Sequence, residues 1–198
     1  MHPTSTTPPT PRATRPARTA RPVRAALALL ASVGLLAACA ADDGGAEAAD
    51  DGPRQVTVSM SDYGYDGLPA ELAAGSTLAV ENTSGSELHE LVAIRLPDDE
   101  QRPAAELVQL PPEELQGFFP LVTTVLLQAP GADETIPAVG DGTLAEPGRY
   151  LVLCAIPTGA DPQEYLEAAA ASEEGPPEVE GGPPHFANGM YGEVVVTQ

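Results

Sequence analysis

The sequence predicts a mainly β fold, a two-sheet β-sandwich with inserted short helices, over residues 54–198. Three observations carry this expectation. Gln55–Ser61 alternates, with Val56, Val58 and Met60 on one face and Thr57 and Ser59 on the other, the pattern of a half-buried strand. Further strand-like runs follow at Thr77–Glu81, Leu88–Leu96, Arg149–Ala155 and Glu193–Thr197. Turn-forming residues punctuate them at Ala74-Gly75, Thr83-Ser84-Gly85, Glu146-Pro147-Gly148 and Asn188-Gly189. Short strands punctuated in this way read as an antiparallel sandwich.

The chain before the first strand has a different character. Residues 1–24 hold five arginines and no acid, and Ala25–Ala38 (AALALLASVGLLAA) is apolar or small throughout. A basic segment, a short apolar stretch and small residues at its end make a secretory signal. It is shorter than the ~20 apolar residues that span a bilayer. Its end, Leu36-Ala37-Ala38-Cys39, resembles the lipobox of bacterial lipoproteins. That resemblance implies cleavage after residue 38, lipidation of Cys39 and anchoring to the outer face of the cell membrane. Residues 39–53 are acidic and small, too poor in apolar surface to fold, and read as a flexible tether.

Two stretches interrupt the strands of the folded part. Pro103–Gln128 reads as two short helices broken by Pro111-Pro112, within an insertion near residues 97–143. Asp161–Ser172 starts a helix with Asp at the cap, Pro at the first helical position and Glu164 three residues past the cap. It belongs to a second insertion, near 156–183, whose remainder (EEGPPEVEGGPP) is irregular.

Composition narrows the function. The 198 residues carry a formal net charge of -20, and removing the leader leaves Arg54, Arg95, Arg102 and Arg149 against 29 acids. Such a surface repels phosphate backbones, so nucleic acid is excluded as a partner, and a protein partner should be basic. Aromatic residues reach 4% and there are two cysteines, which argues against a polytopic membrane protein and a disulfide-rich mini-domain.

With the leader removed and Cys39 lipidated, few soft or imidazole side chains remain. They are His89, His185, Cys154, Met60 and Met190, and four of them fall in the chain order His89, Cys154, His185, Met190. A lone exported thiol cannot form an internal disulfide and needs another explanation. Thiolate and thioether suit Cu(I), and imidazole suits both oxidation states. Two imidazoles and a thiolate with a distant Met make an electron-transfer site.

The motifs around these residues resemble the cupredoxin family. Gly148-Arg149-Tyr150-Leu151-Val152-Leu153-Cys154 matches its Gly-x-Tyr-x-x-x-Cys strand, and Pro184-His185-Phe186-Ala187-Asn188-Gly189-Met190 matches its Pro-His-x4-Met loop. Asn82–His89 resembles the turn before the first histidine ligand, and Tyr191–Val196 the final strand. The resemblance implies a Greek-key sandwich and one type 1 copper ion held by His89, Cys154, His185 and, weakly, Met190. It also implies an electron carrier with a redox partner protein, which the lipobox-like leader would tether to the membrane outside the cytoplasm.

The chain departs from the family in two places. Residues 155–184 separate Cys154 from His185, which are a few residues apart in the family. The ligands still meet if this segment leaves and returns as a closed excursion, since closure cost grows only logarithmically with length. Glu90 stands where the family often has an Asn that braces the ligand loop, so the brace is expected to be missing. The expected donors lie about 3–4 Å apart around a common point.

Other readings remain open at this level. Copper handling without redox turnover, or a metal-free binding module, would use the same fold. Each residue also has an ordinary structural role available, Cys154 as a small core residue among them. Asp98-Asp99-Glu100 and Glu173-Glu174 read as solvated surface, and Tyr63 and Tyr65 as sheet packing. No enzyme is expected. The sequence shows no Ser/His/Asp order, phosphate loop or HExxH, and a thiol on an apolar strand is not activated.

Overall fold

The computed structural model describes residues 52–172 and 175–198. The leader, Cys39, nearly all of the tether and Glu173-Glu174 lie outside the described residues. The strands are β1 (Gln55–Ser61), β2 (Gly64–Asp66), β3 (Glu71–Ala73), β4 (Ser76–Asn82), β5 (His89–Arg95), β6 (Val122–Gln128), β7 (Ile136–Val139), β8 (Thr143–Leu144), β9 (Gly148–Leu153) and β10 (Tyr191–Thr197). The α-helices are α1 (Ala104–Leu107), α2 (Pro112–Gln116) and α3 (Pro162–Ala171).

The strands form the expected two-sheet sandwich. One sheet has the order β2-β1-β4-β8 and the other β3-β10-β9-β5-β6-β7. The sheets are mixed rather than purely antiparallel: β1 lies parallel to β4, and β3 parallel to β10. The reason is topological. The short β2 and β3 carry the chain from one sheet to the other, so β4 returns beside β1 in the same direction.

Val122–Gln128 is a strand and not the second helix expected from its apolar content. Its β-branched start, Val122 to Val125, favours a pleated surface, and β5 supplies a ladder from His89↔Gln128 to Ile94↔Val122 with one register shift between Ala93 and Ile94. The Thr124 hydroxyl bonds Val139 O at 3.0 Å and accepts from Gly142 N at 2.9 Å, tying β6 to the returning chain. Within residues 97–143, β6 and β7 therefore widen the larger sheet, the part before β6 leaves it, and the chain after β7 crosses to β8 of the other sheet.

Both faces of the larger sheet are covered. Between the sheets, Val58, Met60, Leu78, Val80 and Leu144 meet Leu91, Ala93, Tyr150, Val152 and Val194. On the outer face, Val92, Ile94, Leu151 and Leu153 pack under Leu107, Val108 and Leu115 of the inserted helices. A strand covered on both sides must be apolar on both, which explains the near-continuous Leu88–Leu96 run. The parity of β5 is functional too. His89, Leu91 and Ala93 face the inter-sheet core, while Glu90, Val92 and Ile94 face outward.

Candidate metal centre

Three segments meet at one end of the sandwich. β5 begins at His89, β9 runs antiparallel to it with Val92 opposite Leu153, and β10 starts at Tyr191 opposite Leu153. That register puts Cys154, one residue past β9, level with Leu91, two residues from His89 at the start of β5. Tyr150, Val152 and Cys154 share the inward face, so the thiol points into the inter-sheet core.

The turn before β5 is organised by side chains. Asn82 Nδ2 donates to Glu87 O at 3.0 Å and Gln128 O at 2.7 Å, and Asn82 Oδ1 accepts from Ser84 N at 2.9 Å. Ser84 Oγ accepts from Glu87 N at 2.9 Å. Asn and Ser favour such local bonds, and here they fix where Glu87 and His89 begin.

The excursion between Cys154 and His185 closes on itself, the condition under which the two residues can meet. Pro157 and Pro184 face each other across an isolated antiparallel bridge. Thr158 N donates to Pro183 O at 3.0 Å, and Gly182 N to Thr158 O at 2.8 Å. Inside this neck, Asp161 caps α3 by accepting from Gln163 N and Glu164 N, both at 2.9 Å. The ligand loop leaves the neck tied to Cys154: Phe186 N bonds Cys154 O at 2.9 Å, Cys154 N bonds Met190 O at 3.2 Å, and Met190 N bonds His185 O at 3.1 Å. Gly189 supplies the left-handed turn (φ 114°) that brings Met190 back beside His185.

His89, Cys154 and His185 are brought together. His89 Nδ1 lies 3.2 Å from His185 Nδ1, and Cys154 Sγ lies 3.3 Å from His185 Nδ1. One donor atom from each residue falls within 4.8 Å of the other two. All three residues and Met190 are fully buried. Two imidazole nitrogens and one sulfur, with a methionine on the same loop, are the donor set of a type 1 copper centre.

The far sides of the imidazoles are arranged as well. His89 Nε2 faces Asp62 Oδ1 at 3.5 Å, and His185 Nε2 faces Glu87 Oε2 at 3.4 Å. Both Nε2 atoms are otherwise buried without a hydrogen-bond partner. A carboxylate opposite Nε2 favours the tautomer with its proton there, leaving the Nδ1 lone pair free for a metal. Two such lone pairs 3.2 Å apart repel each other unless positive charge lies between them. The residues present therefore fit a cation.

Protonation states agree with this. Burial lowers both histidine pKa values, and neighbouring His89 lowers that of His185 further, so both rings are neutral near pH 7. Burial raises the Cys154 thiol well above its ordinary value, and the nearby Glu90 carboxylate adds to this. The backbone N–H groups of Glu90 and Ile156 act the other way, by donating to the sulfur. A metal held here would displace the thiol proton.

The expectation of a missing brace is corrected. Glu90 Oε1 accepts from Ala155 N at 2.9 Å, so the longer side chain still ties the two ligand strands. Burial pushes its carboxyl up to about 7, although the Ala155 N–H opposes the shift. Tyr63 and Tyr65 do more than pack in the sheet. The Tyr63 ring meets His185 edge-on at 5.2 Å, and Tyr65 OH donates to Glu90 O at 2.6 Å. Tyr63 sits at φ 65°, a left-handed conformation uncommon for a bulky side chain, and the same turn aims Asp62 at His89.

Nothing in the sequence marks Asp62, Tyr63 or Glu87 as site residues. A hairpin turn (Asp62-Tyr63-Gly64) was the one available hint of the first two. Glu100 departs from the solvated-surface reading, because its side chain is only 11% exposed and pairs with Arg102 at 2.6 Å, whereas Asp98, paired with Arg95, stays exposed.

No family model matches the chain, and no curated protein matches it. Among solved structures it is similar to Na-dithionite-reduced auracyanin from the photosynthetic bacterium Roseiflexus castenholzii. That likeness has 21% identity and TM-score 0.42, and covers 74% of this chain and 98% of that one. It is also similar to auracyanin A, a "blue" copper protein from the green thermophilic photosynthetic bacterium Chloroflexus aurantiacus. Here identity is 20%, TM-score 0.38, and coverage 74% of this chain and 100% of that one.

Proposed function

We propose that the chain is a cupredoxin that holds one type 1 copper ion through His89, Cys154 and His185, with Met190 as the weak axial ligand, and carries single electrons. One observation carries this reading: His185 Nδ1 lies 3.2 Å from His89 Nδ1 and 3.3 Å from the buried Cys154 Sγ, so donors from three separate segments fall within 4.8 Å of one another. When bound, copper supplies a one-electron couple. The protein's part is to hold the donors still. Asn82 and Ser84 fix the segment carrying His89, the Pro157–Pro184 neck fixes His185, and Glu90 fixes the residue after Cys154. A rigid donor set reduces the rearrangement needed on electron gain or loss.

The reading is not enzymatic. A fully buried thiol with a raised pKa lacks the exposure and positive surroundings of a nucleophile. The lipobox-like Leu36–Cys39 supports an anchor on the outer face of the cell membrane, and the acidic composition supports a basic redox partner. Among the described residues no helix is long and apolar enough to cross a membrane.

Voltammetry of the copper-loaded chain tests the function. A reversible one-electron wave, lost in Cys154→Ser, is expected. Bound copper with no reversible wave would instead indicate copper handling without redox turnover. For the anchor, Cys39→Ser is expected to release the protein or leave it unprocessed, and normal membrane retention of that variant would contradict the tether.

A further inference from the structure

We propose that Tyr165, carried on α3, is a positioning residue for Cys154 that acts through Glu90. The excursion between the ligands then helps set how firmly the thiol is held. The consequence for a loaded site rests on the copper reading, but the contact and its test do not.

β9 ends at Leu153, and its ladder with β5 ends at the Val92↔Leu153 pair. Of the next N–H groups, Cys154 N bonds Met190 O at 3.2 Å, and Ala155 N has no strand partner. Ala155 N is satisfied instead by the Glu90 side chain, at 2.9 Å. This bond fixes the peptide that leaves Cys154. It holds only if the Glu90 carboxyl, which faces outward from the sheet, stays turned toward β9.

Tyr165 closes that outward side. It is the one buried residue of α3, and its hydroxyl lies 3.4 Å from Glu90 Oε2. The contact is long for a hydroxyl donor, but both groups are buried, where a polar pair is hard to replace. The Glu90 backbone is pinned from the other side by Tyr65 OH, at 2.6 Å. Each end of Glu90 thus has a tyrosine, one from the β2 hairpin and one from the excursion. The excursion also reaches the second imidazole, since Gly159 N donates at 3.2 Å to the Glu87 Oε2 that faces His185. A helix whose single buried side chain ends on the brace of the thiol strand is a support for the site, not a passenger.

Amide hydrogen exchange on the copper-free chain tests this. Tyr165→Phe removes one hydroxyl and keeps the ring, and is expected to speed exchange at Ala155 about three- to tenfold, the scale of one weakened hydrogen bond. Leu151 and Val194, in the sheet but away from Glu90, are expected to change by less than about twofold. Glu90→Leu should speed Ala155 further, while Glu90→Gln, which keeps an acceptor for Ala155 N, should restore slow exchange there. Unchanged exchange at Ala155 in Tyr165→Phe would overturn the proposal. So would an equal rise at Ala155, Leu151 and Val194, which would mark a general loss of stability. Because no metal is present, failure of the copper reading would leave this result intact, and the reverse also holds.

Discussion

His89 Nδ1 and His185 Nδ1 lie 3.2 Å apart although 96 residues separate them in sequence. Such a pair costs free energy unless something positive lies between the two nitrogens, because each ring is turned to keep its Nε2 against a carboxylate. Asp62 and Glu87 therefore belong to the site as much as the rings do: they choose the tautomer, and the tautomer aims the lone pairs.

Glu87→Gln is expected to raise the reduction potential of the copper-loaded protein. The carboxylate is mostly buried and faces His185, so its charge favours the more positive oxidation state with little screening. The amide keeps an acceptor for Gly159 N, which limits the change to charge. A rise of several tens of millivolts is the scale expected, where about 59 mV is a tenfold change for one electron. A potential that stays fixed or falls would remove Glu87 from the account.

Gly142→Ala is expected to destabilise the fold by about 3 kcal/mol, lowering Tm by about 10 °C. Gly142 has φ 92°, and an added Cβ would collide with the backbone carbonyl oxygen of Leu78. The neighbours cannot relax easily, because Leu78 N bonds Gly142 O and Gly142 N bonds Thr124 Oγ1, both at 2.9 Å. Gly131→Ala, at φ 69° but in open space, should cost only about 1 kcal/mol. Equal losses for the two variants in thermal unfolding would contradict the close approach.

Glu100 should contribute to acid unfolding. Hydrogen bonding to Arg102 lowers its carboxyl from 4.5 to about 2, so the folded state favours the ionised form. A carboxyl lowered on folding stabilises fully above its unfolded pKa, and the contribution fades as pH falls from about 4.5 towards about 2. Urea midpoints across this range should show Glu100→Gln less stable than the parent near neutrality, with the gap narrowing on acidification. A gap that widens as pH falls would reverse the sign and reject the pairing.

The convergence of His89, Cys154 and His185 was legible because the signals around them are local. Pro184-His185 and Met190 keep a short spacing on one loop, and the strand ending at Cys154 carries its own alternation. The Leu88–Leu96 run was legible as a strand, but its double burial appears only once the inserted helices are seen against Val92 and Ile94. Val122–Gln128 reads as helix in the sequence and is a strand in the fold, because an apolar run of that length does not reveal its period until a partner strand supplies the ladder. Tyr165 and Glu90 meet across 75 residues of sequence, and nothing in the local pattern of either announces the other. Asp62 and Tyr63 were hidden for a similar reason: a hairpin turn shows that the chain reverses, but not what it is aimed at.

Titration of the purified full chain with Cu(II), followed by visible absorption, tests whether His89, Cys154 and His185 act as one copper centre. Thiolate-to-copper charge transfer should give an intense colour that saturates at about one ion per chain. Cys154→Ser should remain colourless, while Met190→Leu should keep the colour, because an axial ligand tunes a site that the other three residues create. A folded chain that stays colourless, or a Cys154→Ser variant that colours as strongly as the parent, would contradict the account.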